Sequence, residues 1–415
     1  MRRRVVVTGV GAVTPLGIGA EALGEGLLAG RSGVGMLTLF DPAELPTRVA
    51  AQVPLGDEAL GFRDRKIAFA VMAAEEAFSQ SRACGSEPGG ALGGQGAGVS
   101  LGVGLEVFSM QDMVAQRHGG AQVPSDRRAR LTFLQTPSDL CVHLVSQVIG
   151  ARAAPITHVS ACAAGTDAIG VAFRLVASGR RRWMLAGGAD SMINPLGVAG
   201  FSKLGATSPS WEEPQKVSRP FDRRRNGFVL GEGAGALVLE AREDALARGA
   251  QILAEIVGYG CSFDAHGISE PHPDGRGAWQ AMVRAVADAG IEPGDIDAVN
   301  AHGTSTPKNG PMETLALKRL LGDRAWSVPI SAPKSMIGHL ISAAGAVEAV
   351  GAIHGMRAGR VHPTINLDEP DPLCDLDYVP HVARSVEQRH VLSTSFAFGG
   401  QNAAIVLRRH EPDVL

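Results

Sequence analysis

Short β-branched runs alternate with longer runs of small apolar residues along the whole chain, and the order starts over near Gln251. Strands are read at 5–11, 99–103, 156–159, 183–186 and 236–240, with helices at 67–78, 139–148, 168–176 and 242–248. From Gln251 come strands at 252–259, 298–301, near 329–331, near 391–395 and 403–407, with helices at 278–289, 313–321 and 339–355. Strands alternating with helices predict an α/β architecture built on a mostly parallel sheet. The shared rhythm is a weak internal repeat, which divides the chain into residues 1–250 and 251–415. Neither Pro, Ser nor charge accumulates between the halves, so they are expected to pack as one body.

Several classes are excluded early. Glycine is 53 of 415 residues, about twice the ordinary share, so many positions must be tight turns or close approaches. A net charge of −3 gives no field suited to nucleic acid. No apolar stretch reaches the length of a membrane span. Met1-Arg2-Arg3-Arg4 precedes a run broken by Gly9, Gly11 and Pro15, which reads as strand and loop rather than a leader. That loop resembles the start of a dinucleotide fingerprint, but Thr14 stands where the third glycine belongs and Pro15 where a helix should run. Cys84, Cys141, Cys162, Cys261 and Cys374 are scattered and odd in number, against a disulfide framework or a zinc site. A reducing cytoplasm is the natural compartment for them.

The chemistry concentrates in three stretches. Ser160-Ala161-Cys162-Ala163-Ala164-Gly165 lies between a β-branched run and a long apolar one, and reads as strand, tight turn and buried helix. Cys162 then sits at a helix N-terminus, which favours the thiolate and predicts a lowered pKa. In the second half a strand ends in Ala301-His302-Gly303-Thr304-Ser305-Thr306-Pro307, where open α/β sheets carry their catalytic groups. Lys334-Ser335-Met336-Ile337-Gly338-His339 opens a small-residue helix, whose N-terminus would keep His339 neutral. Glu348 should point inward from that helix and need a partner. Phe396, Phe398, Gly399 and Gly400 suit a mobile loop whose N–H groups face a site. One cysteine with two histidines, each at an element terminus, suggests acyl transfer through a thioester. A cysteine protease would pair one histidine with an Asn or Asp. Two neutral histidines can instead donate to a thioester carbonyl that becomes an enolate as CO₂ leaves.

These motifs, with Val6-Val7-Thr8-Gly9-Val10-Gly11, Arg219-Pro220-Phe221-Asp222, Asn226-Gly227-Phe228-Val229-Leu230-Gly231-Glu232-Gly233 and Phe398-Gly399-Gly400, run through essentially the whole chain. In them the sequence resembles the β-ketoacyl-acyl carrier protein synthases, the Cys-His-His condensing enzymes of type II fatty acid synthesis and their polyketide relatives. The resemblance implies a duplicated thiolase fold, layered αβαβα, and a dimer that needs no cofactor or metal. It implies that Cys162 takes the acyl group from acyl carrier protein, in an oxyanion hole made by the N–H groups of Cys162 and Phe398. It makes His302 and His339 the pair that polarises the malonyl thioester, Lys334 their electrostatic support, and Phe398 the gate. Glu348 is implied as a structural acid, and Thr304, Thr306, Phe396, Gly399 and Gly400 as supporting residues. Carrier docking falls to Arg65, Lys66, Arg127 and Arg128.

Two departures stand out. Gly310 occupies the place of the family's usual Asp, leaving Glu313 to balance Lys334 alone. Leu105-Glu106-Val107-Phe108 replaces a Gly-rich run that shapes the acyl pocket across the dimer, leaving chain length open. The competing reading is a non-catalytic chain-length factor in a ketosynthase heterodimer, which would lack the nucleophile that Cys162 supplies. A thiolase would carry a second cysteine near Phe396–Phe398, and an initiating synthase Asn where His339 stands. The pathway, fatty acid or polyketide, stays open, as does homodimer against heterodimer.

Overall fold

A computed structural model describes residues 2–56, 62, 64–82, 96–104 and 139–411. Arg127, Arg128, the segment 105–108, the polar stretch 125–130 and most of the Gly-rich stretch 86–98 lie outside the described residues. Ten strands form the main sheet path: β1 (Val5–Thr14), β2 (Ala97–Val103), β3 (Ile156–His158), β4 (Trp183–Asp190), β5 (Gly233–Ala241), β6 (Ala254–Phe263), β7 (Ala298–Asn300), β8 (Ile330–Ser331), β9 (His390–Phe396) and β10 (Gln401–Arg408). Their order across the sheet is β8-β7-β9-β10-β6-β1-β5-β4-β2-β3. Counted outward from the central β6–β1 seam, each half runs first, fifth, fourth, second, third in its own chain order. The repeat is therefore topological and complete, although the two sequences share little.

The sheet is mixed, not mostly parallel. Among the described strands of this sheet, only β2 with β3 and β4, and β7 with β8 and β9, run parallel. The central pairings β4–β5, β5–β1, β1–β6, β6–β10 and β10–β9 are antiparallel. Parallel neighbours need a crossover helix. The tight turn 397–400 between β9 and β10 cannot supply one, and 191–232 returns from β4 without crossing the sheet.

Six helices complete the layers: α1 (Arg65–Arg82), α2 (Asp139–Val148), α3 (Ala164–Ala177), α4 (Arg276–Ala289), α5 (Asn309–Leu321) and α6 (Ala344–Ala358). α1 and α2 cover one outer face, burying Phe69, Ala73 and Val142 against Val99, Leu185 and Val238. α4 and α5 cover the other, with Met282 and Leu317 against Val299 and Val406. α3 and α6 lie between the two half-sheets, where Ile169, Phe173, Ala346 and Val350 join one core with Val7 and Leu239. This is the αβαβα order. The burial of α6 along nearly its whole length is what its small-residue composition predicts.

Two glycines let the central helices meet. A Cβ on Gly165 would lie 2.8 Å from the Ser342 carbonyl oxygen, and one on Gly345 2.0 Å from Thr166 Oγ1. Each half thus offers a glycine to the other at the start of its inner helix, and this contact carries the functional residues together. Among the described residues no helix is long and apolar enough to cross a membrane.

Candidate active site

The strand β3 ends three residues before Ala161, whose φ of +47° folds the chain sharply back. A single 3-10 turn, Ala161–Ala163, then leads into α3. The bend is held by Ser160 Oγ, which donates to Asp167 Oδ2 at 2.6 Å. Cys162 therefore rides on the turn itself, 3% exposed, rather than on the first residue of a long helix. Burial raises its thiol to about 11, against the opposing pull of the Phe398 backbone N–H and the Lys334 cation. The expectation of a lowered pKa is corrected: one turn of helix dipole does not offset loss of water.

The second half repeats this turn. Ile341, at φ +44°, opens the 3-10 turn Ile341–Ala343, which leads into α6. His339 lies before it, bridged to Leu230 by backbone pairing, so the helix read at 339–355 begins five residues later. His339 Nε2 is 3.1 Å from Cys162 Sγ, and its Nδ1 accepts the Ile341 N–H at 3.3 Å. With Nδ1 used as acceptor, the proton belongs on Nε2 and points at the sulfur.

His302 follows β7. Its ring meets that of His339 edge-on at 5.4 Å and that of Phe396 at 5.6 Å. Both histidines are held well below the usual imidazole pKa by burial first, then by the Lys334 cation. They are neutral at pH 7, as expected, but by desolvation rather than by a helix terminus.

Lys334 is buried and its Nζ donates to Glu348 Oε1 on α6. Glu348, with burial raising its carboxyl to about 7, is thus the counter-ion of Lys334. Glu313 is not, which corrects that reading. It accepts from His302 N at 2.7 Å, Gly303 N at 2.9 Å, Asn309 Nδ2 at 3.0 Å and Thr394 Oγ1 at 3.1 Å. Its work is to pin the His302 loop. Gly310 leaves no charge unbalanced either. A Cβ there would sit 3.3 Å from Arg225 Nε, and Arg225 is paired with Asp371 Oδ2 at 2.6 Å. The same guanidinium binds the carbonyls of Thr306 and Pro307.

Cys162, His302 and His339 line a cavity of about 290 Å³ walled by Phe228, Phe396 and Phe398. Thr304 and Thr306 bond each other at 2.9 Å beside it. Lys308 and Glu270 form an ion pair at its mouth. Phe398 stacks loosely on Phe201, 6.5 Å between ring centres, and Gly399 and Gly400 adopt φ of +82° and +78°. Gly399 N–H donates to Ile268 O at 2.6 Å.

The docking expectation at α1 is corrected. Arg65 is buried against Glu232 at 2.8 Å, and Lys66 against Asp64 at 2.6 Å. Both side chains point inward and offer no surface to a partner. Sequence reasoning also missed Phe228 as a functional wall, edge-on to His339 at 5.2 Å, and Asn309 and Thr394 behind Glu313. Asn309 lay in the segment already singled out, next to Gly310.

Comparison with known proteins agrees with this geometry. Residues 2–245 match the β-ketoacyl synthase N-terminal domain, and residues 253–368 its C-terminal domain. The chain is 41% identical to the 3-oxoacyl-[acyl-carrier-protein] synthase 2 of Synechocystis sp., over 99% of both chains. It is 40% identical to the putative polyketide β-ketoacyl synthase 1 of Streptomyces halstedii, over 98% of both. A solved type II polyketide acyl-carrier protein in complex with its hexaketide-bound ketosynthase superposes with a TM-score of 0.87 at 32% identity, covering 99% of this chain and 100% of that one.

Proposed function

The chain belongs to the β-ketoacyl synthase family, and on that premise we propose that it is an elongating ketosynthase acting on thioesters carried by acyl carrier protein. The Cys162 sulfur attacks the acyl thioester carbonyl. A carbon–sulfur bond to Cys162 forms, the bond to the phosphopantetheine sulfur breaks, and the thiol proton leaves with the departing carrier. The N–H groups of Cys162 and Phe398 stabilise the oxyanion of that step. A malonyl thioester then enters. Its carboxylate leaves as CO₂, and the electron pair passes into an enolate whose oxygen receives hydrogen bonds from neutral His302 and His339. The enolate carbon attacks the Cys162 thioester, the new carbon–carbon bond forms, and the thiolate is released. Lys334 holds the electropositive background that keeps both imidazoles neutral donors.

The observation that carries this reading is His339 Nε2 at 3.1 Å from Cys162 Sγ, with the His302 ring edge-on to it. The chain-length-factor alternative is disfavoured because the nucleophile is present. The reading further takes residue 250 as the end of the first half, the cytoplasm as compartment, and Arg127 and Arg128 as the carrier contact. It takes a dimer, with itself or a chain-length factor, as the working form. Intact-protein mass spectrometry with acyl carrier protein thioesters tests it. The parent should gain the mass of one acyl group and Cys162→Ala none. An adduct persisting on the Cys162→Ala protein would overturn it.

A further inference from the structure

Behind the site, outside the residues assigned above, lies a buried carboxylate. Asp190 ends β4, is fully buried, and its Oδ1 has no hydrogen-bond partner among the described residues. Its Oδ2 accepts both the N–H of Ser342, at 3.2 Å, and the Ser342 hydroxyl, at 2.6 Å. That hydroxyl also reaches Ala189 O at 2.8 Å. The carboxylate lies hard against the chain: a Cβ on Gly104 would be 2.1 Å from Oδ2.

Ser342 stands in the second half where Cys162 stands in the first. Cys162-Ala163-Ala164-Gly165 and Ser342-Ala343-Ala344-Gly345 are each preceded by a residue of positive φ and each open an inner helix. The residue before Ser342 is Ile341, β-branched and at φ +44°, a conformation such side chains avoid. Something must hold it there. The Ile341 N–H is the group that meets His339 Nδ1.

We propose that Asp190 is a positioning residue for His339: by gripping Ser342 it holds Ile341 in its disfavoured conformation, so that the Ile341 N–H stays on His339 Nδ1 and the proton stays on Nε2, facing Cys162. The inference rests on the ketosynthase reading for its consequence, a donor aimed at the reacting oxygen. It does not rest on that reading for its test, because the tautomer is measured directly.

The experiment uses full-length protein labelled with ring-¹⁵N histidine, with His339 assigned by its absence in a His339→Gln spectrum. Long-range proton–nitrogen correlations then report which ring nitrogen bears the proton. The parent should show Nε2–H. Asp190→Ala should shift His339 toward Nδ1–H, and malonyl-carrier decarboxylation should fall about 10²-fold with KM little changed. Asp190→Asn, which keeps an acceptor oxygen for Ser342, should restore both readouts. A folded Asp190→Ala protein with the parent's tautomer overturns the proposal. Should Asp190→Ala not fold, Ser342→Ala, which removes one hydroxyl, decides by the same criterion: a larger Nδ1–H share supports the clamp and an unchanged share overturns it. A parent that decarboxylates nothing would refute the ketosynthase reading while leaving the tautomer result standing.

Discussion

Replacing His302 by Asn should flatten part of the protein's acid sensitivity, by an amount that follows from burial. His302 is 3% exposed and stays neutral when folded. In the unfolded chain it takes a proton near pH 6.5. Below that pH the unfolded state binds the extra proton, so stability present at high pH is lost as pH falls. Between pH 8 and pH 5 the loss is up to about 2 kcal/mol for one such histidine. Buried acids act in the opposite direction. Glu348, raised to about 7, and Asp190, raised to about 6, keep protons in the folded state that the unfolded chain releases, and stabilise it as pH falls. The parent's curve mixes these signs, and the difference between parent and variant isolates His302. His339 keeps its burial and its Lys334 neighbour in both proteins, so its share cancels. Urea titrations from pH 8 to pH 5, at one protein concentration, should show the His302→Asn protein gaining on the parent by up to about 2 kcal/mol. A difference curve flat in pH would refute the claim that His302 is a buried neutral imidazole.

Two further outcomes follow from the same contacts. Arg65→Ala leaves Glu232 without its buried guanidinium, which should cost about 3–5 kcal/mol. Thermal unfolding should report that loss, and a variant of parental stability with slowed carrier-dependent loading would restore Arg65 to the docking surface. Gly399→Val places a β-branched residue at φ +82°, a strain of about 1–3 kcal/mol. It should slow acylation of Cys162 at least tenfold while shifting the unfolding temperature little, and normal acylation in the folded variant would count against a mobile gate.

The turn at Cys162 and the strand end at His302 were legible because small residues and glycines bounded by apolar runs mark strand-to-loop junctions. The inward Glu348 was legible because α6 has no polar face to offer water. Charges were read less well. Arg65 and Lys66 look like surface residues by type, and their burial depends on Glu232 and Asp64, one of them 167 residues away. Strand direction failed for a related reason. Alternation of elements implies crossovers, but β4 and β5 are joined by a long excursion whose return direction no local pattern specifies. The Cys162 pKa was misjudged because helix position is a sequence property and desolvation is not.

The duplicated turn explains why the site lies where it does. Ala161 and Ile341 take the same disfavoured φ at the same place in each half, and Gly165 and Gly345 bring the two turns into contact. The first turn presents a thiol and the second presents an imidazole three residues before its own equivalent of that thiol. A symmetric scaffold thus meets an asymmetric reaction by dividing the roles, with the nucleophile on one copy and the donors on the other. The position that could have carried a second nucleophile holds Ser342, whose hydroxyl is turned away to Asp190 and Ala189. Duplication supplies the strained backbone twice. Chemistry uses one copy to attack and the other to aim, and the carboxylate at the end of β4 is placed where it can hold the second copy still.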